Sequence, residues 1–207
     1  MNSVKTLQTK HQMGNVTASF CSLTVIRGGL FGQSSKENNW VFIDTQNLVK
    51  GVKEQGWKID WKRFRSYLKE NYSVTKAVLF MGRIPQNDWL YKMLTKAGFE
   101  IEFREVKQLN NGEIDGGNVD ADLAGYVMDH KTKYSKAILI ADDADYCNTI
   151  KSLQRQNKLK LIVSSHIMKQ TSELIKRTVG EEMILSIHAI RNLIEFSKIP
   201  NKKNIKS

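Results

Sequence analysis

The chain has 207 residues, 41% apolar, 9% aromatic and 26% charged, which suits one folded domain with appendages and a sizeable core. Two cysteines, Cys21 and Cys147, exclude a disulfide framework and a cysteine-rich zinc site, and no apolar run approaches the ~20 residues of a bilayer span, so a cytoplasmic location without a membrane partner is expected. The net charge of +11 divides into +3 over residues 1–40, zero over 41–150 and +8 over 151–207, a balance that suits a polyanionic partner beside an acid-holding centre and equally a lysine-rich solvated surface.

Residues 1–39 carry no acid before Glu37, abound in Ser, Thr and Gln, and include Gly28, Gly29 and Gly32. They predict a poorly ordered N-terminal extension. An organellar transit peptide is disfavoured by a single arginine, Arg27, and a secretory signal by the shortness of the apolar run Phe20 to Ile26. From Trp40 apolar, β-branched runs alternate with helical periods. Strands are predicted at Trp40 to Ile43, Ala77 to Met81, Phe99 to Phe103, Ala137 to Ile140 and Leu159 to Val163. Helical stripes fall at Trp61, Phe64 and Leu68, at Trp89 and Met93 with Gly98 as a stop, at Leu123, Tyr126 and Val127, and at Tyr146, Ile150 and Leu153. A long polar loop is predicted over Lys107 to Asn118, with turns at Asn111-Gly112 and Gly116-Gly117. Met183, Ile187, Ile190 and Ile194 predict a final helix, and residues 200–207, with Lys202, Lys203 and Lys206, a basic tail. The domain is therefore placed at 40–199. Its alternation of strands and helices is that of an α/β protein with a mainly parallel sheet and helices on both faces.

Ligands of such sheets bind outside the carboxyl ends of the strands. Asp44 follows the first strand, Gly82 and Arg83 the second, and Asp120 and Asp122 the loop after the third. Asp142, Asp143 and Asp145 follow the fourth, and Ser164, Ser165 and His166 the fifth. Acids from three strand ends converge on one edge, where they repel one another unless a cation lies among them. Hard oxygen donors suit Mg²⁺ or Mn²⁺. Asp120 and Asp143 also suit N-cap or first-turn positions. Asp44 ends an apolar run with no clear cap pattern after it, so an unpartnered acid there is costly and reads as functional. Asp120 and Asp122, two residues apart, do not share a helix face, which makes Asp120 the primary candidate. Arg83 suits a phosphate clamp and equally a solvated loop. The four histidines show no metal spacing, no phosphate-binding glycine loop is present, and Cys147 reads as core.

The segment Val41-Phe42-Ile43-Asp44-Thr45-Gln46-Asn47-Leu48 resembles the opening motif of NYN domains, the LabA-like branch of the PIN-like nucleases. Gly117 to Leu123, with Val119-Asp120, resembles their second motif, and Ile140 to Tyr146 the acidic motif after their fourth strand. The resemblance covers about residues 40–165 and implies a PIN-like three-layer sandwich. It also implies a five-stranded sheet of order 3-2-1-4-5 and metal-dependent RNA cleavage. Its site positions map to Asp44, Asn47, Asp120, Asp143 and Asp145. The sequence departs from the family pattern where Asp142 replaces a glycine, adding a charge beside the cluster, and where Tyr146 replaces a phenylalanine. A lysine before the second motif is absent, with Asn118 nearby, and Tyr126 stands where a further aspartate is common.

The resulting expectation is a Mg²⁺- or Mn²⁺-dependent endoribonuclease. Asp44, Asp120, Asp143 and Asp145 would hold one or two ions, with Asp122 and Asp142 as further candidates. Asn47 would orient a water or the scissile phosphate, and Arg83 would hold the backbone. The expected partner is RNA, single-stranded or structured, and a homodimer is compatible with the chain. A non-catalytic RNA-binding or scaffold protein of the same fold is the alternative. A haloacid-dehalogenase type phosphatase wants a second aspartate where Gln46 stands. A topoisomerase–primase type domain wants a glutamate where Asp44 stands.

Overall fold

The computed structural model describes residues 37–108, 114–115 and 119–197. The expectations for residues 1–36, for the two glycine turns of the long loop and for the basic tail lie outside these residues. Strand β1, Asn39–Asp44, is buried along its whole length. Such a strand needs cover on both faces, and its alternation supplies it. Trp40 and Phe42 point into one core, and Val41 and Ile43 into another. Helices α1 (Thr45–Glu54) and α2 (Trp61–Tyr72) lead to β2 (Val74–Gly82), then α3 (Asp88–Lys96) and β3 (Glu100–Arg104). Two short strands, β4 (Lys107–Gln108) and β5 (Ile114–Asp115), precede α4 (Asp120–Asp129). The chain continues through β6 (Ala137–Ile140), α5 (Cys147–Arg155), β7 (Leu159–Ser164), α6 (Glu173–Val179), β8 (Ile184–Ser186) and α7 (Arg191–Ile194).

The main sheet has the order β3-β2-β1-β6-β7-β8, and every pairing in it is parallel. This is the PIN-like α/β arrangement expected, with one strand more. The sixth strand, β8, and a 3₁₀ turn at Ile187–Ile190 replace most of the predicted final helix. The stripe is still a burial stripe: Ile187, Ile190 and Ile194 lie in the core although only Arg191–Ile194 is helical. The loop predicted over Lys107 to Asn118 contains the antiparallel ribbon β4–β5, with Lys107 opposite Asp115.

Helices α4, α5 and α6 cover one face through Leu123, Val127, Ile150, Leu153 and Ile175. Helices α1, α2 and α3 cover the other through Leu48, Val52, Phe64, Leu68 and Leu94. From β1 the chain crosses to β2 on one side, and from β6 to β7 on the other. The adjacent carboxyl ends of β1 and β6 therefore flank the crevice where such sheets bind ligands.

Candidate active site

Asp44 is the last residue of β1 and also the N-cap of α1. Its Oδ1 accepts the Asn47 backbone N–H at 3.0 Å, and its Oδ2 accepts the Asn47 side-chain amide at 2.7 Å. The sequence signalled no cap here. The cap is an Asp-x-x-Asn arrangement in which the asparagine donates twice, so it lacks the glutamate of a capping box. Asp44 is only 4% exposed. Burial raises its pKa, and the charge of Asp120 adds to the rise, while the Asn47 backbone N–H pulls the other way.

Asp120 opens α4, and Asp143 caps the 3₁₀ turn Ala144–Tyr146 by accepting the Asp145 N–H at 3.1 Å. One carboxylate oxygen from each of Asp120, Asp143 and Asp145 lies within 4.8 Å of the others. Two connections separated by β6 thus deliver three acids to one point. Asp44 reaches this group through Tyr146, whose hydroxyl lies 2.5 Å from Asp120 Oδ1 and 3.2 Å from Asp44 Oδ2. The ring is 1% exposed. Burial and the two carboxylates push the Tyr146 phenol upward, so it stays a neutral donor.

The other sequence candidates fall elsewhere. Asp122 pairs with Arg104 at 2.8 Å on the surface. Asp142 turns toward the end of β7, where it accepts from the Ser164 hydroxyl, from the Ser165 N–H at 2.7 Å and from the Ser165 hydroxyl. His166 Nδ1 is 3.2 Å from the same carboxylate, and its Nε2 is 3.6 Å from Glu54. Asn47 faces Asp44 with its amide. Arg83 lies past the end of β2 with its guanidinium over Phe103, 5.5 Å from the ring centre. Several basic residues of the C-terminal segment are paired with acids, Lys160 with Glu37, Lys176 with Glu173 and Arg191 with Glu195.

Tyr146 was not singled out as a site residue from sequence. The signal was its position on an apolar helical stripe, because a phenol placed in a core needs a partner for its hydroxyl.

A family model described as the NYN domain matches residues 38–184, and the chain belongs to the NYN-domain family, a group with a nuclease-like fold. A crystal structure of a protein of unknown function from Vibrio parahaemolyticus is similar in fold, with a TM-score of 0.62 at 19% identity. The likeness covers 76% of this chain and 96% of that one. No curated protein matches the chain. Among the described residues no helix is long and apolar enough to cross a membrane.

Proposed function

We propose that the protein is a Mg²⁺- or Mn²⁺-dependent endoribonuclease of the LabA-like kind, acting in the cytoplasm on RNA. The observation that carries this reading is the meeting of Asp120, Asp143 and Asp145 within 4.8 Å at the carboxyl edge of a parallel sheet. The donors are all hard carboxylate oxygens, which fit Mg²⁺ or Mn²⁺ and not a softer ion. Three such charges repel one another without a cation. A divalent ion held there would supply Lewis acidity and charge neutralisation at a phosphodiester.

The chain's own groups prepare that point. The cap of the 3₁₀ turn fixes Asp143 beside Asp145. Tyr146 fixes Asp120 by donating to one of its oxygens. Asp44 stands behind them, and Asn47 holds it in place. Arg83, steadied over Phe103, offers a cation to the phosphate backbone; such contacts position a strand without reading its sequence. Asp122 and Asp142, bound to Arg104 and to the two serines, stand aside from the centre.

Labelled RNA incubated with the purified protein should be cut internally in Mn²⁺ or Mg²⁺ and remain intact with chelator. Asp143→Asn and Asp120→Asn should each abolish cutting. Cleavage that persists in both variants would reject the centre, and intact RNA under every metal condition would favour the non-catalytic RNA-binding alternative.

A further inference from the structure

Asp143 and Asp145 are both exposed, so little packs against their side chains, and the backbone of the short turn after β6 sets where they point. That turn is tied at two places. At its far end Tyr146 is buried and hydrogen-bonded to Asp44 and Asp120. At its near end stands Asp142, whose side chain is 11% exposed. It accepts three hydrogen bonds from the end of β7: from the Ser164 hydroxyl, from the Ser165 N–H at 2.7 Å and from the Ser165 hydroxyl. His166 Nδ1 lies 3.2 Å from the same carboxylate. A carboxylate only accepts, so converging donors match it and hold it in one orientation.

The anchor is itself fixed. Ser164 and Ser165 are buried. The Ser164 hydroxyl oxygen accepts from the Thr171 hydroxyl at 2.8 Å. The Ser165 carbonyl accepts from the Gln55 side-chain amide, just past α1, at 2.7 Å. The His166 carbonyl accepts from the Ser186 hydroxyl of β8 at 2.7 Å. Asp143 is one residue from the tie at Asp142, and Asp145 one residue from the tie at Tyr146. Both exposed carboxylates thus sit on a stretch of backbone held at each end. A glycine at position 142, as in the NYN pattern, has no side chain with which to make the first tie.

We propose that Asp142 is a positioning residue: by binding Ser164 and Ser165 it holds Asp143 and Asp145 in the arrangement that takes the divalent cation. The inference rests on the metal-dependent nuclease reading above and gives a role to an acid that stands outside the cluster. Groups that orient metal ligands from behind matter about 10–100-fold in metal affinity or activity. Because Asp142 acts here through Ser165, its effect must disappear when Ser165 loses its hydroxyl. An Asp142 acting as a ligand, or by its charge alone, would be indifferent to Ser165.

The test is a double-mutant cycle on the full-length protein, read as Mn²⁺ affinity from the electron paramagnetic resonance of the free ion, well below each variant's melting temperature in chelator. Asp142→Gly should weaken Mn²⁺ binding at least about tenfold, and Ser165→Ala about three- to tenfold. Added to Asp142→Gly, Ser165→Ala should cost nothing more. Asp142→Asn, which keeps an acceptor for Ser165, should stay within about threefold of the parent. Parent-like affinity in Ser165→Ala, or a loss in Asp142→Asn as large as in Asp142→Gly, overturns the positioning role. So do losses that simply add in the double variant. In each of these cases the nuclease reading stands if Asp143→Asn abolishes Mn²⁺ binding. A parent protein that takes no Mn²⁺ overturns both. Ser165→Ala removes one hydroxyl and no charge, so it decides the matter even if Asp142→Gly fails to fold.

Discussion

Tyr146 offers one hydroxyl proton to two carboxylates that reach it from distant parts of the chain. Removing it takes a hydrogen-bond donor from both Asp44 and Asp120. Tyr146→Phe should therefore destabilise the fold by about 1.5–3 kcal/mol, the range for a hydrogen bond to a charged group. Urea unfolding in chelator measures this, and a variant as stable as the parent would show that the bridge contributes nothing. Asp44 adds a pH signature. Its folded pKa is raised above the unfolded one, so its contribution is fully present below the ordinary carboxylate range and is lost as pH rises through the raised value. Asp44→Asn keeps a good N-cap and removes the buried charge. In chelator the variant should melt higher than the parent at neutral pH, with the gap closing as the pH falls below the ordinary carboxylate range. A gap that does not change with pH would mean that Asp44 carries no strained charge.

At the scale of elements, α1 is held to the end of β7 by a close approach. A Cβ added at Gly51 would stand 2.8 Å from the Ser165 carbonyl oxygen. Gly→Ala inside a helix ordinarily gains up to ~1 kcal/mol. Here Gly51→Ala should lower the melting temperature instead, because backbone must move. A rise would show that the contact yields. The same junction explains a residue whose type was legible and whose role was not. Asp142 was read as an added charge beside the cluster, yet consecutive residues leaving a strand point different ways. Asp143 goes to the cluster and Asp142 to Ser164 and Ser165. Helix α1 was invisible for a related reason, since its cap is built by Asn47 and its first turn has no acid. Strand β8 is three residues long, too short for alternation to show within isoleucines spaced three and four apart. The long apolar strands β1, β2, β6 and β7 were readable because both of their faces are buried.

For the whole molecule, binding and folding are linked at the sheet edge. A cation that binds only the folded chain raises its stability by mass action. Mn²⁺ should raise the melting temperature of the parent protein and scarcely move that of Asp143→Asn. Equal shifts in the two would place the ion elsewhere.

The pairing of β1 with β6 has a consequence in time. Asp44 and Tyr146 are 102 residues apart in the chain, and their contact waits on every element between them. Contacts of that separation are slow to form. A chain still on the ribosome, with only β1 to β3 emerged, holds Asp44 and none of Asp120, Asp143 or Asp145. It cannot assemble the acid cluster until the segment after β6 has left the exit tunnel.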